Sequence, residues 1–290
     1  MRYDFIEHHR PMWRLSVMCR LLGVSKTGYF AWRYRQLEPS PRTRRNRALG
    51  VEIAAVHAER RGVYGSPRVH RELVSRGVSV GKHRVARLMR AAGLSAKAPK
   101  RFVVTTDSKH RLPVSPNLLR QDFTATAPNT RWVTDITYIP TGEGWLYLDA
   151  IMDLYSRRIV GWAMGDRMDR HLVMRALDMA VSSRLPGPGL IHHSDRGSQF
   201  ACEAYRAQLD QLGMASSMSR TACCYDNAAM ESFFHTLKVE LIHRRDFQTR
   251  SKAQSAIFEY IEAFYNRVRI HSALGYLSPD AFEARLTKVA

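Results

Sequence analysis

The sequence predicts an α/β body on a mixed five-stranded sheet, preceded by a helical, strongly basic region. Three observations carry this expectation. β-Branched and aromatic runs at 132–139, 145–154 and 157–163 are separated by short turns. From residue 170 onward, short apolar runs alternate with helical periodicity. Charge is also partitioned: residues 1–120 hold 26 Lys and Arg against 7 Asp and Glu, and residues 121–290 hold 19 of each. The net charge of +19 therefore comes entirely from the first segment. A length of 290 residues with 45% hydrophobic content suits one large domain plus one or two small ones. A basic arm suits a polyanion, most often nucleic acid, because Lys and Arg release counterions from phosphates. The bland alternative is a solvated surface that only keeps the chain soluble.

The basic region reads as two helical pieces. Trp13–Leu22 has a helical pattern, Gly23-Val24-Ser25 supplies a turn and an N-cap, and a second helix reaches about Tyr34. Helix, glycine turn and helix outline a DNA-reading unit, although such hairpins also serve as packing units. Three more helices follow: Asn46–Arg60 with Leu49, Ile53 and Val56 inward, Ser66–Arg76 with Val69 and Leu73 inward, and Gly81–Ala92. The last turns Val85, Leu88 and Ala92 to the core and Lys82, His83, Arg84, Arg87 and Arg90 outward, as a recognition helix in a major groove would. Its bland counterpart is a surface helix with solvated arginines.

Residues 95–127 are rich in Lys, Ser, Thr and Pro and read as a linker, with Lys97, Lys100, Arg101, Lys109 and Arg111 suited to a DNA backbone. The domain boundary is expected near Ala127. Strands at Trp132–Ile139, Trp145–Leu154 and Arg157–Ala163 form an antiparallel meander. A helix at Arg170–Ser183, a strand from Leu190 to Asp195, a helix at Cys202–Leu212 and a strand at Met214–Ser219 come next, then helices near Asn227–Leu241 and Ser251–Arg267. The result is an α/β body of the ribonuclease H type. The expected organisation is a helix-turn-helix-like region at 1–40, a helical DNA-binding domain at 41–94, a basic linker at 95–127 and the body with a C-terminal helical extension at 128–290.

Within that body, Asp135, Asp195 and Glu231 stand out, with 59 and then 35 residues between them. Asp135 interrupts a strand, where Asp is normally depleted. Asp195 opens a turn at the mouth of a short apolar strand. Glu231 shares a polar helical stripe with His235 and Lys238, opposite the apolar Met230, Phe233, Phe234, Leu237 and Leu241. A solvated Glu–Lys face would explain that helix alone, but not the two aspartates. Three clustered carboxylates raise one another's pKa unless a cation neutralises them. An all-oxygen set favours Mg²⁺ or Mn²⁺, and two such ions suit in-line phosphodiester attack. Asp149 and Asp153 lie four apart on the second strand and stay outside the triad, Asp153 as a support for the site or a cap for the following turn.

Four cysteines (Cys19, Cys202, Cys223, Cys224) make no disulfide framework for a chain this long, so a reduced, cytoplasmic protein is expected. The N-terminal residues lack the apolar core of a signal peptide, and no apolar run approaches the ~18 residues of a membrane span. Cys223-Cys224, His8-His9 and His192-His193 lack the spacing of a structural zinc site.

These residues carry a family resemblance over the whole chain. Met18-Cys19-Arg20-Leu21-Leu22-Gly23-Val24-Ser25 with Gly28-Tyr29, Tyr64-Gly65-Ser66-Pro67-Arg68, Trp132-Val133-Thr134-Asp135-Ile136-Thr137-Tyr138 and His193-Ser194-Asp195-Arg196-Gly197-Ser198-Gln199-Phe200 are its first four stretches. Cys224-Tyr225-Asp226-Asn227-Ala228, Glu231-Ser232-Phe233-Phe234 with Lys238, Tyr265-Asn266-Arg267, His271 and Leu274-Gly275-Tyr276-Leu277-Ser278-Pro279 complete it. The chain resembles the second-frame (OrfB) transposases of the insertion-sequence-3 family, among the DDE recombinases with a retroviral-integrase-like catalytic core. The resemblance implies that Asp135, Asp195 and Glu231 are the catalytic, metal-binding triad, and that Lys238 contacts DNA near them. It further implies cutting of one strand at an element end, a circular intermediate, insertion into target DNA, a homo-oligomer on DNA at terminal inverted repeats, and a bacterial, nucleoid-associated location. Related elements encode an upstream-frame (OrfA) partner or fusion with a leucine zipper, and no sustained heptad occurs here. Ala222-Cys223 departs from the small or polar residues usual at that point. The rival readings are a non-catalytic DNA-binding regulator and a simple nuclease on the same fold.

Overall fold

The computed structural model describes residues 1–96, 112–220 and 224–285. The five basic residues expected to line the linker, and the Ala222-Cys223 departure, lie outside these. The chain forms two compact units, Met1–Ala96 and Lys97–Ala290.

The first unit holds six helices: α1 (Arg2–His9), α2 (Leu15–Leu21), α3 (Lys26–Leu37), α4 (Pro41–Glu59), α5 (Ser66–Ser75) and α6 (Lys82–Ala91). The turn between α2 and α3 is as expected, with Gly23 at φ +63° and the Ser25 hydroxyl accepting from the Gly28 amide at 2.9 Å. Ile6, Met18, Cys19 and Tyr29 form the buried cluster of these three helices, and the Tyr29 hydroxyl donates to Glu7. Helix α1 was not expected, because Ile6 is its one buried residue and no apolar period announces it. Helix α4 starts five residues before the expected Asn46, since Ser40 accepts from the Thr43 amide and Pro41 takes the first helical position.

The inward residues of α4 and α5 are those expected, joined by a buried Glu72 that accepts from Arg60 Nε and Nη2 at 3.0 Å each. In α6 the buried pair is Val85 and Met89, one turn apart; Leu88 is half-buried and Ala92 exposed, which corrects the expected core face.

The second unit is a ribonuclease H-like body. Its strands are β1 (Arg131–Thr141), β2 (Gly144–Asp153), β3 (Ile159–Gly165), β4 (Ile191–Ser194) and β5 (Ala215–Met218), in the order β3-β2-β1-β4-β5. The first three are antiparallel neighbours, and β4 and β5 add in parallel beside β1. Helices α7 (Arg170–Arg184), α8 (Ser198–Ala201) and α9 (Glu203–Gln211) cover one face, packing on Trp132, Ile151 and Val160. The approach of α7 is close: a Cβ on Gly161 would stand 2.3 Å from the Ala176 carbonyl oxygen and 2.6 Å from Ala180 Cβ.

Helices α10 (Ala228–Glu240) and α11 (Arg250–Phe258) lie against β1, and α12 (Pro279–Glu283) follows later in the chain. The expected helix over 251–267 is α11 continued by a π-helical stretch, Glu259–Tyr265. It brings Asn266 to clamp both backbone groups of Ile159 at 3.0 Å. Arg269, meanwhile, forms a buried two-bond pair with Glu240 at 2.8 and 2.9 Å.

Residues 112–127 are not a free linker, and they belong to the second unit, which begins well before the boundary expected near Ala127. Ser115 and Leu118 bond to Ser216 and Ser217 of β5, and Leu119 is buried. Asp153 takes the turn-capping role: its carboxylate accepts from the Asn129 and Tyr155 amides at 2.7 and 2.9 Å. Among the described residues, no helix is long and apolar enough to cross a membrane.

Candidate active site

Strand pairing brings the two aspartates together. β1 and β4 run parallel with Val133 beside His193, so two residues further on the chain reaches Asp135 on one strand and Asp195 just past the end of the other. Asp195 Oδ1 then accepts from the Gly197 amide at 2.9 Å, which holds the carboxylate at the mouth of the turn. Asp135 Oδ1 accepts from the Ile136 amide at 2.8 Å. Asp135 as a whole residue is half-buried. Burial, followed by the negative charge of Asp195, pushes the Asp135 carboxyl well above the usual range, with smaller pushes from Asp149 and Glu231.

Glu231 lies in the first turn of α10, where the helix dipole favours an acid, and burial raises its carboxyl. The apolar stripe seats this helix as expected, with Met230, Phe233, Phe234, Leu237 and Leu241 all buried. Lys238, two turns on, is half-buried; burial lowers its pKa and the negative charge of Asp135 opposes that shift. Its Nζ stands 5.2 Å from the centre of the Tyr138 ring on β1. The Asp135 charge acts on Lys238, so the ammonium lies within electrostatic reach of that acid.

Among the described residues, no three His, Cys, Asp or Glu side chains stand together as a metal-binding cluster. The charge of Asp195 raises the Asp135 carboxyl more than that of Glu231 does, and strand pairing sets the two aspartates on neighbouring strands. The chemistry of the pair fits a hard divalent cation: two oxygen donors, one destabilised as an anion by the other, gain most from a shared positive charge.

Asp149 sits on the opposite face of the sheet, one position out of phase with Asp135 in the β1–β2 register, and is fully buried. Thr134 Oγ1 donates to its Oδ1 at 2.8 Å, while its Oδ2 has no hydrogen-bond partner among the described residues. Burial pushes this carboxyl well up as well. Sequence reasoning placed Asn227 only within a motif; its Nδ2 donates to the Thr134 carbonyl at 2.9 Å, tying the start of α10 to the residue before Asp135. A polar residue one turn before a helical acid was the available signal. The neighbouring histidines are structural: burial holds His192 down at about 3 and His193 at about 4, so both rings are neutral at pH 7.

In the helical unit, Lys82, His83, Arg87 and Arg90 are exposed along α6. Arg84 is not part of that free face. Its Nε and Nη2 both donate to Asn46 Oδ1, at 3.0 and 2.8 Å, bracing α6 on α4.

Comparison with known proteins agrees with these features. Residues 125–224 and 231–286 match two integrase core domain models, and residues 43–102 match an HTH-like domain. A 31 kDa protein of insertion element IS600 from Shigella sonnei is 49% identical over 94% of this chain and 100% of its own length. The transposase InsF for insertion sequence IS3A from Escherichia coli K12 is 43% identical over 98% of both chains. Among solved structures, a chain of the simian T-cell lymphotropic virus intasome has a TM-score of 0.47 at 12% identity, covering 80% of this chain and 74% of its own. The HTLV-2 integrase catalytic core determined with magnesium has a TM-score of 0.41 at 14% identity, covering 55% and 99%. The near full-length identity to InsF, with integrase core and HTH-like matches in the same order along the sequence, makes this chain a member of the IS3 family of transposases.

Proposed function

We propose that Asp135, Asp195 and Glu231 hold two divalent cations, Mg²⁺ or Mn²⁺, and that this site cuts and joins DNA strands at the ends of an insertion sequence. The observation that carries the reading is the Asp135–Asp195 pair, one inside β1 and the other just past the end of the adjoining parallel β4, with the raised Asp135 carboxyl. When bound, the ions would activate a water or 3′-hydroxyl and stabilise the leaving oxygen. The chain's own contribution is positional. The sheet fixes the two aspartates, α10 presents Glu231, and Lys238 offers a cation for a DNA phosphate beside Asp135.

In the helical unit, Lys82, His83, Arg87 and Arg90 are the candidate DNA contacts, the last three spaced as one stripe at i, i+4 and i+7. The contact assigned to Arg84 from sequence becomes a support for that stripe through Asn46. In this reading the substrates are the terminal inverted repeats and target DNA, the working form is a homo-oligomer assembled on DNA with an upstream-frame (OrfA) product as partner or fusion, and the setting is the bacterial nucleoid.

Calorimetric titration with Mn²⁺ tests the metal assignment. Heat of binding is expected for the wild type and lost in Asp135→Asn and Asp195→Asn, with DNA affinity retained; equal Mn²⁺ binding by all three proteins overturns it.

A further inference from the structure

We propose that Asn117 and Gln121, acting through Asp226, are positioning residues that set the Glu231 helix against the two aspartate-bearing strands; the inference rests on the three-acid reading above. Asp226 is fully buried, and its carboxylate gathers donors from two directions. Arg220 supplies its backbone amide at 2.8 Å, Nε at 3.1 Å and Nη2 at 2.9 Å. Asn117 Nδ2 at 2.8 Å and Gln121 Nε2 at 2.9 Å come from the segment that precedes the sheet. Arg220 alone would neutralise the charge. The two amides add a mechanical link from residues 112–121 to the residue directly before Asn227, and so to the first turn of α10.

A second route leaves the same segment. The Leu118 amide donates to Ser217 Oγ at 2.9 Å, and that hydroxyl also bonds His193 Nδ1 at 2.8 Å. His193 lies on β4 two residues before Asp195, and its ring also meets the Asp226 backbone. Asn227, for its part, reaches the carbonyl next to Asp135. All three acids are thus within two residues, or about one helical turn, of a group bonded into this clasp. Groups bonded directly to metal ligands typically change metal affinity or activity by about 10–100-fold when removed, and the lower end of that range is expected for residues one link further back.

The test is Asn117→Ala/Gln121→Ala in the full chain, with Ser115→Ala as a control that removes only the bond to Ser216 from the same segment. Three quantities are read: hydrogen exchange of amides 228–234, the Mg²⁺ concentration giving half-maximal strand joining, and the DNA concentration giving half-saturation. The expected result is faster exchange in 228–234, an Mg²⁺ requirement raised about 10-fold, an unchanged DNA half-saturation, and a control that matches the wild type in all three. Unchanged exchange, or an unchanged Mg²⁺ requirement, overturns the clasp. A DNA half-saturation that rises in step with the loss of joining also overturns it, since the segment would then act on DNA binding. If Glu231→Gln joins strands as well as the wild type, the three-acid reading falls, and the exchange measurement alone decides the clasp. If the double variant does not fold, Asn117→Ala, which leaves the Gln121 and Arg220 bonds in place, is read by the same criteria.

Discussion

Asp149→Asn should stabilise the catalytic unit at neutral pH, by an amount that grows with pH. The Asp149 side chain is fully buried, one oxygen is held by Thr134 and the other has no partner among the described residues, and burial raises its pKa well above the ordinary value. A carboxyl raised on folding contributes stability that is fully present below its unfolded pKa of about 3.9 and is lost as pH rises toward its folded value. Above that unfolded value, the wild type therefore loses about 1.4 kcal/mol for each pH unit over which the folded group stays protonated.

The Asn variant is neutral throughout, keeps the acceptor for Thr134 and escapes this loss. The groups around Asp149 are Asp135 and Asp195 on the strands and Tyr205 on α9, and both proteins contain them. Urea unfolding at pH 5, 6 and 7, followed by hydrogen exchange in peptides from β1 and β2, reports this unit separately from the helical one. The variant should gain on the wild type as pH rises, by at most about 1.4 kcal/mol per pH unit. A difference that is constant with pH, or a variant less stable than the wild type at pH 7, would refute the reasoning.

Arg269→Ala leaves Glu240 and the Tyr260 hydroxyl bonded to it inside the protein without their cation, and should cost about 3–5 kcal/mol in thermal or urea unfolding; a loss under 1 kcal/mol would contradict a buried pair. Gly161→Ala forces a methyl onto Ala176 and Ala180 of α7 and should destabilise by about 1–3 kcal/mol; an unchanged melting temperature would mean that α7 can move away. Arg87→Ala/Arg90→Ala should weaken duplex binding and flatten its salt dependence by about two counterions, whereas Arg84→Ala should cost about 1 kcal/mol of stability and leave that slope unchanged. Equal salt slopes for the two variants would return Arg84 to the DNA-contact face.

The five strands and the antiparallel meander of the first three were legible because each rests on a local signal, alternating β-branched residues and a turn after an apolar run, and Asp135 stands out as an acid where strands rarely carry one. What escaped depends on pairing that sequence periodicity does not encode. Asp149 and Asp153 look equivalent at four residues apart, yet one faces the α7–α9 layer with an unpartnered oxygen and the other caps a turn. Arg84 matches the arginines around it until Asn46, 38 residues earlier, claims its guanidinium. Residues 112–121 read as linker because Ser, Pro and Asn show no period, although their polar side chains have partners about a hundred residues away on β5 and Asp226. Helix α1 has too few apolar positions to signal itself.

The most direct test of the account is a Mg²⁺ strand-transfer assay on the DNA ends flanking this gene, comparing wild type with Glu231→Gln, with and without the upstream-frame product. The account predicts joined products from the wild type alone, with duplex binding the same in both proteins. Joining by Glu231→Gln at the wild-type rate, or DNA binding with no joining by the wild type under either condition, would contradict it.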